Sequence, residues 1–423
     1  MQTTLAEKHK HQAYTLVAED NLRRCVHCGF CNATCPTFQL IGDELDGPRG
    51  RIYLIKQILE GADPTPSSRK HLDRCLTCQS CETTCPSGVK YSRLLEVGRQ
   101  LHEEALTRPL KEKWTRILLR KLLLQPSLFK LLLTAAHGFS FLLPLSLKKK
   151  IPPLGKVSAN ESSSSSSQSS LKNETDSTPT LIMLRGCAQQ VCAPEINQSA
   201  AGLFSQLGFN IIESSEDKCC GALSHHNDAN EEARTLARKN IDCWWPAIER
   251  GAENIVVTAS GCATMVTDYG HLLANDPEYA DKAKRVAEIC KDPVEILEAY
   301  ADKLAIKAGT EKHISYQAPC TQQHGLKIKG RVEHILKTAG FQLSRQNIAH
   351  LCCGSAGSYS TLQPEISIQL QQNKLRDLCK DQPTLIATAN IGCLLHLQSG
   401  TDIPVKHWLQ LIEVSEPEIK NTV

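Results

Sequence analysis

The sequence predicts an α+β chain of several domains, a helical N-terminal domain followed by a pair of repeated α/β modules. Three observations carry that prediction. Leu54, Ile55, Ile58 and Leu59 recur at helical spacing, and a second helical stretch covers residues 91–105. From Thr180 onward the short apolar runs TLIML, NIVVTA, HISYQ and TLIATA alternate with helical stretches such as residues 229–248. The second half also repeats itself. Cys187, Cys219–Cys220–Gly221 and Gly261–Cys262 return as Cys320, Cys352–Cys353–Gly354 and Gly392–Cys393, at offsets of 133, 133 and 131 residues.

The parts follow in order along the chain. Residues 1–107 form the helical domain and carry eight clustered cysteines. Residues 108–155 are a leucine-rich helical connector, and 156–179 a flexible linker with six consecutive serines at 162–167. The two modules occupy 180–300 and 301–423. The connector raises the question of a membrane. Its longest uncharged run, residues 131–147, contains His137, Gly138 and Pro144, and a span wants roughly 20 clean apolar residues. Pro126 would kink or end a helix. Three readings stay open: a transmembrane span, helices packed on the rest of the protein, or an interfacial helix flanked by Lys148, Lys149 and Lys150 on the inner face of the cell membrane.

Composition narrows the classes. Hydrophobic residues make up 41% and charged residues 22%, an ordinary globular balance. A net charge of +3 and 5% aromatics give neither the basic face nor the stacking platform that nucleic acid requires, so none is expected as a partner. Twenty cysteines would suggest disulfides in a small secreted chain. Here the start carries Glu7, Lys8, His9, Lys10 and His11 and lacks the apolar region of a signal peptide. A reducing cytoplasm, with cysteines as metal ligands, is expected.

The first run is Cys25-Val-His-Cys28-Gly-Phe-Cys31-Asn-Ala-Thr-Cys35-Pro36, and the second is Cys75-Leu-Thr-Cys78-Gln-Ser-Cys81-Glu-Thr-Thr-Cys85-Pro86. Both read C-x2-C-x2-C-x3-C-P. Three thiolates on a tight loop reach three irons of one cubane, and in two-cluster ferredoxins the fourth ligates the other cluster. The expectation is two [4Fe–4S] clusters in an α-helical ferredoxin domain. Cys25, Cys28, Cys31 and Cys85 hold one, and Cys75, Cys78, Cys81 and Cys35 hold the other. Zinc sites present pairs of C-x2-C rather than two four-cysteine runs ending in proline.

The second set is Cys187, Cys219, Cys220 and Cys262, with Cys320, Cys352, Cys353 and Cys393 in the other copy. Cys187, Cys262, Cys320 and Cys393 follow predicted strands, at the ends where open α/β sheets bind ligands. Three readings stay open: a third metal cluster in the Cys–Cys–Gly modules, a redox-active thiol pair, or thiols that pack an interface and bind nothing. Cys192, Cys243, Cys290 and Cys379 have no counterpart in the repeat and read as ordinary buried cysteines. His225 and His226 follow the first Cys–Cys–Gly, but Ser358 and Tyr359 stand there in the second module.

The phrases CVHCGFCNATCPTFQLIGDELDGPRGRIYLIKQILEG, HLDRCLTCQSCETTCPSGVKY, HLCCGSAGSY and TANIGC resemble a family that joins a two-cluster ferredoxin domain to Cys–Cys–Gly modules. It includes subunits of heterodisulfide reductase and of anaerobic glycerol-3-phosphate dehydrogenase as well as glycolate oxidase iron–sulfur subunits, and the phrases are most similar to the last. The resemblance implies an electron-transfer subunit that is not catalytically self-sufficient. Flavin-bearing partner subunits would oxidise glycolate to glyoxylate, and a quinone or membrane acceptor would take the electrons. A lactate-utilisation or heterodisulfide-reductase-like system is the alternative. The chain departs from the heterodisulfide reductase relatives in one place: Cys262 is followed by Ala-Thr-Met and Cys393 by Leu-Leu-His, where those relatives carry C-x2-C. A self-contained oxidoreductase would need a hydride acceptor, and the chain has no G-x-G-x-x-G turn after a strand.

Overall fold

The computed structural model describes residues 1–12, 14–139, 151–155 and 178–415. The serine run of the expected linker and the three lysines 148–150 lie outside the described residues.

Helices at Thr15–Arg24, Pro48–Leu59, Pro66–Asp73 and Tyr91–Ala105 build the N-terminal domain. Pro48 and Pro66 stand at the first helical position, where the missing N–H costs nothing. Thr65 caps its helix by accepting from the Ser68 N–H at 3.0 Å. The periodic face of Pro48–Leu59 points inward. Ile52, Ile55, Ile58 and Leu59 are buried against Leu22, Leu72 and Leu94, each such burial worth about 1.5–3 kcal/mol; Leu54 is only half-buried.

The connector forms two helices, Leu110–Leu123 and Pro126–Gly138. Pro126 opens the second helix, as its fixed φ favours. Among the described residues no helix is long and apolar enough to cross a membrane.

Each module contains a four-stranded parallel sheet. In the first, β1 (Thr180–Met183), β2 (Asn210–Glu213), β3 (Asn254–Val256) and β4 (Cys290–Lys291) take the order β2-β1-β3-β4. β5 (Leu304–Ile306) follows outside that sheet. In the second, β6 (His313–Gln317), β7 (Gln342–Leu343), β8 (Leu385–Thr388) and β9 (Val405–His407) take the order β7-β6-β8-β9. The sequence repeat is therefore a structural repeat. β10 (Ile412–Val414) pairs antiparallel with β5, so the strand between the two sheets is clasped by the last described strand.

Alternation along the strands puts one face of each sheet into a shared core. Leu181 and Met183 of β1 meet Ile314 and Tyr316 of β6 there. Ile182, on the other face, packs with Ala233, Ala237, Ile241 and Trp244 from the helix Asn230–Glu249. This arrangement aims the cysteine-bearing strand ends of both modules at the N-terminal domain.

Candidate metal centres

The two ferredoxin-type loops fold alike. His27 and Gly29 have φ of 56° and 83°, and Thr77 and Gln79 have φ of 53° and 58°. Left-handed backbone at the same two places wraps each loop around its own centre, and for non-glycine residues it is a strain tolerated at functional sites. Cys25, Cys28, Cys31 and Cys85 line a small cavity of about 30 Å³, which Cys81 also touches. Cys28 is exposed, so this site meets the surface. Cys35, Cys75, Cys78 and Cys81 line a second cavity of about 590 Å³. The fourth cysteine of each run thus lies with the first three of the other. Thr34 and Thr84 hydrogen-bond at 3.2 Å beneath the crossing.

The larger cavity is also lined by Cys187, Cys219, Cys220 and Cys262 and by Cys320, Cys352, Cys353 and Cys393. Within the second set, Cys320 Sγ lies 3.8 Å from Cys352 Sγ, and Cys353 Sγ 3.4 Å from Cys393 Sγ. The first set has the same chain of thiol contacts, Cys187 to Cys219, Cys219 to Cys220 and Cys220 to Cys262. Gly221 and Gly354 explain the third letter of the motif. Both have left-handed φ, +90° and +94°, and a Cβ would stand 3.2 Å from the Ala233 carbonyl oxygen or 2.6 Å from that of Ser367. Asn240 donates to the Cys219 carbonyl at 3.1 Å and Tyr269 to the Cys220 carbonyl at 2.9 Å, which pins the first loop.

The donor chemistry fits iron. None of the twenty cysteines is in a disulfide. Burial pushes the Cys31 thiol up to about 11 and drives Cys78 and Cys81 well above the ordinary thiol range. In the modules, hydrogen bonds to Cys219 and Cys352, ahead of burial, raise Cys187 and Cys320. Such thiols are poor free nucleophiles, and metal ligation displaces their protons. Cys192 and Cys290 are buried away from both cavities, with Cys192 pushed up to about 12 by burial; Cys243 and Cys379 are half-buried.

Charged groups around the larger cavity escaped the reading of the sequence. Arg51 is 1% exposed and lines it. Its Nε donates to the His71 carbonyl at 2.7 Å and its guanidinium to Thr37 Oγ1 at 3.1 Å, and Thr37 Oγ1 lies 3.2 Å from Cys35 Sγ. Burial opposes its charge, while Cys75, Tyr91, Cys35 and the Asp46 carboxylate beside it favour it. Arg93, also in the lining, pairs with Asp268 at 2.8 Å. Burial would raise the Glu96 carboxyl, yet His225, His271 and Arg93 hold it well below the carboxylate range. His225 spends its ring on Glu96 at 3.4 Å and Asn230 at 3.1 Å, while burial takes the neighbouring His226 down to about 3.

Residues 21–89 match the family described as a 4Fe-4S dicluster domain, and residues 182–267 and 314–398 each match the cysteine-rich domain family. These matches mark the chain as an iron–sulfur protein. The "Glycolate oxidase iron-sulfur subunit" of Escherichia coli (strain K12) is 45% identical over 414 residues, 98% of each chain. The "Probable glycolate oxidase iron-sulfur subunit" of Bacillus subtilis (strain 168) is 29% identical, over 91% of this chain and 90% of its own. "Lactate utilization protein A" of Exiguobacterium sp. (strain ATCC BAA-1283 / AT1b) is 25% identical and aligns with 55% of this chain and 97% of its own. The crystal structure of a hypothetical protein from Helicobacter pylori superposes with a TM-score of 0.53 at 11% identity, over 95% of this chain and 72% of that one, a likeness of fold alone.

Proposed function

Because the chain belongs to the glycolate oxidase iron–sulfur subunit family, we propose that it is the electron-transfer subunit of a glycolate-oxidising complex. Flavin-bearing subunits take electrons from glycolate, forming glyoxylate. This chain carries them toward a quinone or another respiratory acceptor. In this reading the oxidation belongs to the flavin-bearing subunits and this chain supplies no catalytic residue for it.

In this reading Cys25, Cys28, Cys31 and Cys85 hold one [4Fe–4S] cluster, and Cys75, Cys78, Cys81 and Cys35 the other. Bound clusters supply one-electron chemistry that side chains lack. The protein's part is to fix their spacing, exclude water from the inner one and place charge beside it. The observation that carries the proposal is the gathering of cysteines: one set opens to the surface at Cys28, and the other shares a cavity with both Cys–Cys–Gly sets. That continuity suits relay better than isolated structural sites. The module cysteines are the candidate ligands of a further cluster, four thiols of each module lining the same cavity.

The lactate reading draws on relatives that align with about half of this chain; glycolate is therefore preferred. Purified alone, the chain should show no glycolate dehydrogenase activity with an artificial dye, and cells lacking it should fail to grow on glycolate. Dye reduction by the isolated chain, or normal growth of the deletion strain, would remove the proposal. Reduction by L-lactate but not glycolate through the partners would select the alternative.

A further inference from the structure

The helix Leu110–Leu123 is amphipathic the wrong way round for a packed surface helix. Its inner side is ionic. Arg116 is 7% exposed, its guanidinium 3.4 Å from an Asp228 carboxylate oxygen and its Nε 3.0 Å from Glu112, while Arg120 pairs with Glu232 at 3.1 Å. Its outer side is apolar: Leu110, Trp114 and Leu118, spaced four residues apart, are 74%, 66% and 67% exposed. An ordinary surface helix turns its apolar stripe to the core. The next helix, Pro126–Gly138, buries Phe129 and Leu133 against Val191 and Cys192 and leaves Leu128, Leu131 and Leu132 outside, with Phe139 exposed just beyond it. Seven of the thirteen exposed large apolar side chains among the described residues lie on this hairpin. The body holds the hairpin rigidly through Arg108, Arg116 and Arg120, so the outward face is built in.

The charge around that face is one-sided. Lys111, Lys113, Lys121 and Lys130 are exposed on the two helices. The hairpin's lone carboxylate, Glu112, is half-buried and engaged by Arg108 and Arg116. Lys121 shares the Glu232 carboxylate with Arg120 at 3.6 Å, which leaves Lys111, Lys113 and Lys130 around the apolar side chains. Trp beside Leu, flanked by such lysines, is the pattern that lies in the headgroup region of an anionic bilayer.

We infer that the outer face of residues 110–139 is a monotopic docking surface for an anionic lipid bilayer. Apolar side chains enter the headgroup boundary while the lysines meet phosphates, and no helix crosses. This goes beyond the proposed electron-transfer role, which would stand without it.

The full chain, purified anaerobically, should co-sediment with vesicles of phosphatidylglycerol and phosphatidylcholine at low salt. Binding should fall at least tenfold in 0.5 M salt or on pure phosphatidylcholine. Trp114→Ser with Leu118→Ser should lower binding at least tenfold, as should Lys111→Glu with Lys113→Glu and Lys130→Glu. Trp114 emission should shift to the blue on anionic vesicles, a signal that Trp114→Phe removes. Both variant sets alter exposed side chains, so iron content and the cluster spectrum should match wild type and report intact folding. Vesicle binding unchanged in both sets would overturn the inference, as would no binding at low salt. Loss of flavin-subunit capture by the apolar variant, with vesicle binding intact, would make the face a protein interface and likewise overturn it.

Discussion

Arg51 shows what one side chain can do at such a site. It shares a helix face with Ile55 and Ile58, four and seven positions on, yet it is as buried as they are. A buried cation survives only where anions repay its desolvation, and here Asp46 and the Cys35 and Cys75 thiolates surround it. Arg51 went unread in the sequence, because the groups that hold it, Thr37 and His71, arrive from other elements. Removing the charge should make the neighbouring cluster harder to reduce. Arg51→Gln should lower its midpoint potential by on the order of 100 mV, the scale of about 2 kcal/mol from a unit charge roughly 7–8 Å away at an effective dielectric near 20. Arg51→Lys should recover part of that shift. A potential that stays put in EPR-monitored titration, with iron content intact, would remove Arg51 from this role. The crossed ligand assignment has its own test. Cys85→Ser should strip about four of about eight ferredoxin-type irons and spare the cluster of Cys75, Cys78 and Cys81. Loss of that latter cluster instead would refute the crossing.

At the level of elements, the sequence was most informative where a motif fixes backbone geometry. The Cys–Cys–Gly offset located two copies of one sheet because each glycine must adopt a conformation that side chains resist. The β-branched runs located β1, β3, β6 and β8. The short strands β2, β4, β7 and β9 went unread, since two to four residues of edge or terminal strand carry little periodic signal. The two motif glycines are not equivalent in space. Gly221→Ala should cost about 1–2 kcal/mol for its left-handed backbone, with the Ala233 carbonyl giving slightly. Gly354→Ala should cost more, because the added carbon would stand 2.6 Å from a helix carbonyl. Chemical denaturation of the two variants checks the order; an equal or reversed cost would contradict the packing.

Across the whole molecule, the decisive feature is the meeting of three cysteine-bearing units around one cavity. Contacts of very long sequence separation make it: Thr83 Oγ1 to His324 Nδ1 at 2.8 Å, Tyr359 OH to the Arg74 carbonyl at 3.0 Å, and Arg93 to Asp268. No local pattern announces such pairings, so the sequence displayed the ligands without their arrangement. In the proposed reading the chain is a conduit with one end at the surface by Cys28 and the other in the cavity shared by the three units. The most direct test follows the clusters themselves. The anaerobic chain should be mixed with glycolate, with and without its flavin-bearing partner subunits, and the reduced-cluster EPR signal recorded. The account predicts no signal from glycolate and the chain alone, and interacting reduced-cluster signals once the partners are added. Reduction by glycolate without partners, or none with them, would contradict it.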